Sequence, residues 1–150
     1  MELNLAVRAF ELLLGFSLAL QCIEYLRIPA LDRVNDWAIL RSEIPERPRG
    51  VRALLDVLLT PRNYRVLIVL RLALAIGLMS GGLGLAGSLL LFAIALVLLL
   101  RWRGAFNGGS DFMTLVGLTG LLIAHLAGTF KGMDFGWRAG LWYITLQSLT

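Results

Sequence analysis

The residues able to do chemistry in this chain are few, and each sits among apolar neighbours. His125, the one histidine, has Ala124, Ala127 and Gly128 beside it, so a flat ring could lie close to the helix there. An imidazole so placed suits a tetrapyrrole ligand or a quinone head. The same ring serves equally well in a hydrogen bond between helices. A second set is Arg101, Arg103, Asn107, Gly108 and Gly109. Their guanidinium groups and backbone N–H groups could cradle an anionic headgroup at the start of a helix. Ser110 or Asp111 would instead cap that helix, and both roles can hold together. A third set is Arg71 with Glu24. An ionised side chain inside a membrane costs roughly 2.5–3.5 kcal/mol, and Glu24 is the expected counter-charge in a structural ion pair.

No HExxH, GxSxG, phosphate-binding loop or CxxC occurs, so no catalytic residue or metal site is assigned. Cys22 is alone and cannot form a disulfide within the chain; a buried, inert thiol is the expectation. No cofactor is assigned outright. A lipid, a quinone-like molecule or a tetrapyrrole is the class of ligand these residues would take.

Composition sets the surroundings. The 150 residues are 58% apolar and 16% charged, with a mean hydropathy of +0.78. A chain this short cannot enclose so much apolar side chain in one core, and the excess must face lipid. Disorder, a collagen-like repeat and a disulfide scaffold are excluded by the abundant aliphatics, unpatterned glycines and single cysteine. The fold class is therefore an all-α integral membrane protein. Basic residues outnumber acids by 14 to 10, and all but Lys131 are arginine. Membrane topology explains that bias more simply than nucleic acid, which is not expected as a partner.

One transmembrane domain over 1–150 is predicted, with four to five spans. They cover about 5–26, 64–80, 83–100 and 113–130, with a short apolar run at 139–150. The polar segment 27–63 carries Val51, Leu54, Leu55, Leu58 and Leu59 at helical spacing. That pattern predicts a short amphipathic helix over 51–59, lying on the membrane surface or packed on the bundle. Ser80-Gly81-Gly82 predicts a tight reversal between the second and third spans. Gly77, Gly81, Gly84 and Ser88 are placed for close helix approach. Lys131 to Arg138 is expected to be a polar turn.

The last run, 139–150, would reach about 18 Å as a helix, against a hydrocarbon core of roughly 30 Å. Two expectations follow: a partner polypeptide covers this end, or the chain is a fragment of a longer one. Counting basic residues places 27–63 and 101–112 on the cytoplasmic side, with the N-terminus outside. A bacterial inner membrane is the expected location.

The segment Arg101-Trp102-Arg103-Gly104-Ala105-Phe106-Asn107-Gly108-Gly109-Ser110-Asp111-Phe112-Met113 resembles the basic, Asn-containing loop of the horizontally transferred transmembrane (HTTM) family, to which vitamin K-dependent gamma-carboxylase belongs. Leu141-Trp142-Tyr143-Ile144-Thr145-Leu146-Gln147-Ser148-Leu149-Thr150 is similar to the family helix that runs aromatic-x-x-x-Gln. The resemblance implies the N-terminal half of an HTTM-like bundle. The family's carboxylase chemistry acts on peptide glutamates with reduced vitamin K, oxygen and carbon dioxide. It uses a lysine base beyond the Gln-containing helix, and Lys131 does not match that position.

The first expectation for function is thus a non-catalytic membrane subunit: an HTTM-like half-bundle completed by another membrane polypeptide packing on 139–150, in a larger membrane complex, with an energy-transducing one as a candidate. The alternative is a split or truncated HTTM-like enzyme acting on a quinone-like or peptide substrate. A further alternative is pigment or haem binding through His125.

Overall fold

The computed structural model describes residues 2–27, 49–81, 83–101 and 108–149, and among these all regular structure is helical. Six helices follow in order: α1 (Glu2–Arg27), α2 (Arg49–Leu58), α3 (Pro61–Met79), α4 (Leu85–Arg101), α5 (Gly108–Lys131) and α6 (Met133–Ser148).

Local chemistry sets several of the boundaries. Pro61 opens α3 at a position where a missing N–H does no harm, after Thr60 in an extended conformation. Thr60 Oγ1 and Asn63 Nδ2 both donate to the Val57 carbonyl, at 3.1 and 2.6 Å, which ties the end of α2 to the start of α3. At the far end of α3, Gly81 takes a φ of +76°, as the expected reversal there requires. Gly132, with φ +91°, alone separates α5 from α6. The polar turn expected over 131–138 is therefore not a turn. Lys131 finishes α5 and Asp134 lies in the first turn of α6, where each complements its helix dipole. This adds six residues to the start of the last helix, which begins at Met133 rather than Ala139.

Helices α5 and α6 make the most extensive contact in the molecule, and α1 along α3 the next. Smaller contacts join α4 to α5, α3 to α4, and α1 to both α5 and α6. The core so formed includes Leu14, Leu18, Ala75, Leu78, Leu91, Leu118, Leu121 and Trp137. A second cluster gathers Cys22, Tyr64, Ile68, Ile94 and Leu98.

Of the expected stripe, Gly81 is met by the Arg8 side chain and Ser88 is buried, but backbone does not approach backbone at Gly77 or Gly84. A Cβ at Gly84 would meet nothing within 4 Å, and one at Gly77 only a leucine methyl at 3.7 Å. A Cβ at Gly136 would instead collide with the Ala124 carbonyl and lie 2.6 Å from the Gly128 nitrogen. One at Gly140 would collide with the Gly120 carbonyl. Gly120, Ala124 and Gly128 on α5 thus face Gly136 and Gly140 on α6, all at spacings of four, the pattern that lets two backbones touch.

Two helices, Leu3–Arg27 and Phe112–Lys131, are long and apolar enough to cross a membrane. The second is the inner one, with 56% of its apolar window buried against 28% for the first. The expected four to five spans exceed this. Helix α3 carries Arg62, Arg65 and Arg71 within 19 residues, α4 has 17 residues, and α6 has 16 that include Asp134 and Arg138. The predicted 51–59 helix is α2. It ends one residue earlier, at Leu58, and Leu55 together with Leu59 in the turn that follows is buried, while Val51, Leu54 and Val57 face outward beside Arg52.

Candidate functional site

Arg71 stands midway along α3 and is only 4% exposed. Its helix packs against α1, where buried Leu14, Leu18 and Cys22 share a face with half-buried Gln21. Gln21 is therefore the polar side chain that α1 presents to α3. The Arg71 Nη2 donates to Gln21 Oε1 at 2.8 Å, and Gln21 Nε2 donates to Thr114 Oγ1 of α5 at 3.0 Å. The direction of this relay follows from the chemistry. A guanidinium only donates, so Gln21 must turn its oxygen toward Arg71 and keep its amide hydrogens for Thr114. One relay thereby joins three helices.

Beside the relay lies a cavity of about 20 Å³, lined by Arg71, Thr114, Tyr25, Ala95, Leu98, Leu99 and Leu115. Space of that size holds roughly one water molecule. The Arg71 Nε is buried and has no hydrogen-bond partner.

The expected Arg71–Glu24 pair is not formed. Glu24 is exposed, one turn beyond Gln21 on α1, and the guanidinium turns to the amide instead. Burying an amide beside Arg71 costs far less than burying an ionised carboxylate.

A second polar group lies at the opposite end of α3. Arg8 donates to Glu11 at 3.1 Å and to the Met79 carbonyl at 2.5 Å. It thus satisfies one of the carbonyls left open where α3 ends, and places a cation at the negative pole of that helix. Gly81 makes room: a Cβ there would lie 2.7 Å from the Arg8 guanidinium.

His125 is buried, with its ring edge-on to Trp137 at 5.5 Å, and Trp137 is in turn edge-on to Phe10 at 6.4 Å. Its Nε2 has no hydrogen-bond partner. Of the small residues expected to admit a flat ligand beside it, Ala124 and Gly128 lie under Gly136 of α6. A neighbouring helix occupies the space that the tetrapyrrole reading needs on that side.

In the expected headgroup set, Arg101 is the last residue of α4, while Gly108 and Gly109 open α5. Ser110 and Asp111 consequently lie inside the first turn and not at the cap position. Arg103 and Asn107 fall outside the described residues. Cys22 is fully buried, as expected of an inert thiol.

Sequence reasoning missed Gln21, Thr114 and the Gly136–Gly140 pair. The signal for Gln21 was its register: it shares the apolar face of Leu14 and Leu18. The signal for the glycines was their spacing of four.

Compared with protein families, with curated proteins and with solved structures, the chain matches none.

Proposed function

We propose that this chain is a non-catalytic integral membrane subunit, an HTTM-like half-bundle whose outermost helix packs against another membrane polypeptide. The observation that carries the reading is the two-sidedness of α6. Its glycine face is pressed into α5, and its opposite side presents Trp142, Leu146 and Leu149, which are 67%, 56% and 79% exposed. Their spacings of four and three form one continuous apolar ridge. A rigid aromatic at the head of such a ridge is the type of anchor that dominates interfaces.

The polar interior fits a structural role. Arg71, Gln21 and Thr114 fix the register of three helices, and Arg8 closes the end of α3. In this reading α1, α3, α4 and α5 cross the bilayer and α6 completes its crossing against the partner. The arginine-rich segment 27–63 and the 101–112 connection then lie on the cytoplasmic side of a bacterial inner membrane. The half-bundle as a whole serves assembly within a larger complex.

Gentle extraction from native membranes followed by native mass measurement tests this. A species heavier than the 16.5 kDa chain, lost on Trp142→Ala, supports it. A lone 16.5 kDa chain with bound lipid alone defeats it.

A further inference from the structure

We infer that the membrane polypeptide on the outer face of α6 is a second copy of this chain, docked about a two-fold axis along the membrane normal. The inference rests on the reading of α6 proposed above and names the partner.

The outer face carries more than its apolar ridge. Asp134, Arg138, Trp142, Thr145 and Leu149 are all exposed, at spacings of four, four, three and four, so they share one side of the helix. The opposite side holds Gly136 and Gly140 against α5. Thr145 donates its hydroxyl to the Leu141 carbonyl of its own helix, at 3.0 Å, and so needs no polar partner outside. The charge on this face is one acid and one base, one turn apart. An acid four residues before a base is the favourable order for an ion pair within a helix. Among the described residues that pair is not made, and neither side chain meets another opposite charge. Lys131, just before Asp134 in the chain, lies instead over the Phe135 ring at 5.0 Å.

That arrangement is self-complementary. Two copies inserted in the same sense and related by a two-fold lie with their α6 helices parallel. Equal residue numbers then stand at equal heights, and each Arg138 sits about 6 Å along the axis from Asp134 of the other copy. An extended arginine side chain spans that offset, so both Arg138–Asp134 pairs form at once, one on each side of the axis. Charge pairs between adjacent helices set partner and register in coiled coils. In the membrane reading they count for more, because an ionised side chain facing lipid is costly until an opposite charge meets it. Further along, Trp142 and Leu149 meet their own counterparts and supply dispersion contact. A different polypeptide would have to bring an acid and a base at matching heights. A second copy has them already.

Two copies of the full chain carrying different epitope tags are expressed together and extracted from native membranes in mild detergent. Capture through one tag is followed by quantifying the other. Wild-type copies should be recovered together. Asp134→Arg in both copies sets like charges against each other, as does Arg138→Asp in both, and each should lower co-capture about tenfold. Asp134→Arg in one copy and Arg138→Asp in the other makes both pairs opposite again, and co-capture should return to near the wild-type amount. Failure of that rescue, co-capture indifferent to both reversals, or no co-capture of wild-type copies overturns the inference. Should a reversed chain fail to accumulate in the membrane, Asp134→Asn and Arg138→Gln replace the reversals. Each should weaken co-capture a few-fold, and unchanged co-capture there is the overturning result. An extracted assembly heavier than 16.5 kDa without co-capture defeats this inference and leaves the reading of α6 standing, with a different polypeptide as partner. A lone 16.5 kDa chain defeats that reading itself.

Discussion

Two of the helix interfaces in this bundle are held together in different ways. Between α5 and α6 backbone meets backbone, with Gly136 and Gly140 pressed on Gly120, Ala124 and Gly128, and the Ile144 and Met133 side chains packed onto Gly120 and Gly128. Between α1, α3 and α5 the contact includes a charged relay, Arg71 to Gln21 to Thr114, with leucines around it. In the membrane reading proposed above no hydrophobic force brings helices together, and both devices then serve: close dispersion contact in one place, polar register in the other. The glycine interface tolerates no added atom. The relay tolerates no unpaired one.

The comparison breaks most visibly at Gly136. Gly136→Leu must separate α6 from α5, because even a Cβ meets the Ala124 carbonyl. A loss of about 4 kcal/mol or more is expected, the range of severe overpacking. The midpoint of unfolding in a denaturing-detergent titration measures it. Gly84→Leu, at a site with nothing within 4 Å, should leave that midpoint nearly unchanged. Equal effects at the two glycines would remove the distinction between the interfaces.

Next in size is the relay. Gln21→Leu leaves the buried guanidinium without its amide and should cost about 3 kcal/mol. Adding Arg71→Met to that variant should restore most of the loss, since an apolar pair of similar volume leaves nothing unsatisfied. Additive losses in the double variant would mean that the relay is incidental.

How much of this was legible in the sequence follows the same division. Helical class, the turn at Gly81, the amphipathic α2 and the apolar stretch of α5 could be read from periodicity and glycine placement. The span count could not. Hydropathy alone did not weigh Arg62, Arg65 and Arg71 against the apolar residues of α3, or show how short α4 and α6 are. The pairing of Arg71 was misjudged because charge was used as the guide, whereas burial of the α1 face chose Gln21 over Glu24. The sequence offers small residues for close approach at Gly77, Gly81, Gly84 and Ser88 as readily as at Gly136 and Gly140. Both stripes look alike in sequence, and only packing tells which one meets a backbone.

A smaller effect sharpens the comparison at the end of α3. Arg8→Ala releases the Met79 carbonyl and leaves Glu11 buried without its partner, for a loss of about 1–2 kcal/mol. Arg8→Lys should recover part of it, by the same titration. Smallest is Thr114→Val, which removes the terminal acceptor of the relay while keeping its shape. About 1 kcal/mol is expected, and an unchanged midpoint would place Thr114 outside the relay.

The account's central claim, that the outer ridge of α6 meets another membrane polypeptide, is most directly tested by photo-crosslinking in native membranes. A photoreactive amino acid replaces Trp142 in one chain and Phe16, exposed on α1, in another. Position 142 should yield a discrete protein–protein adduct and position 16 only lipid adducts. Lipid adducts alone at both positions would contradict the account.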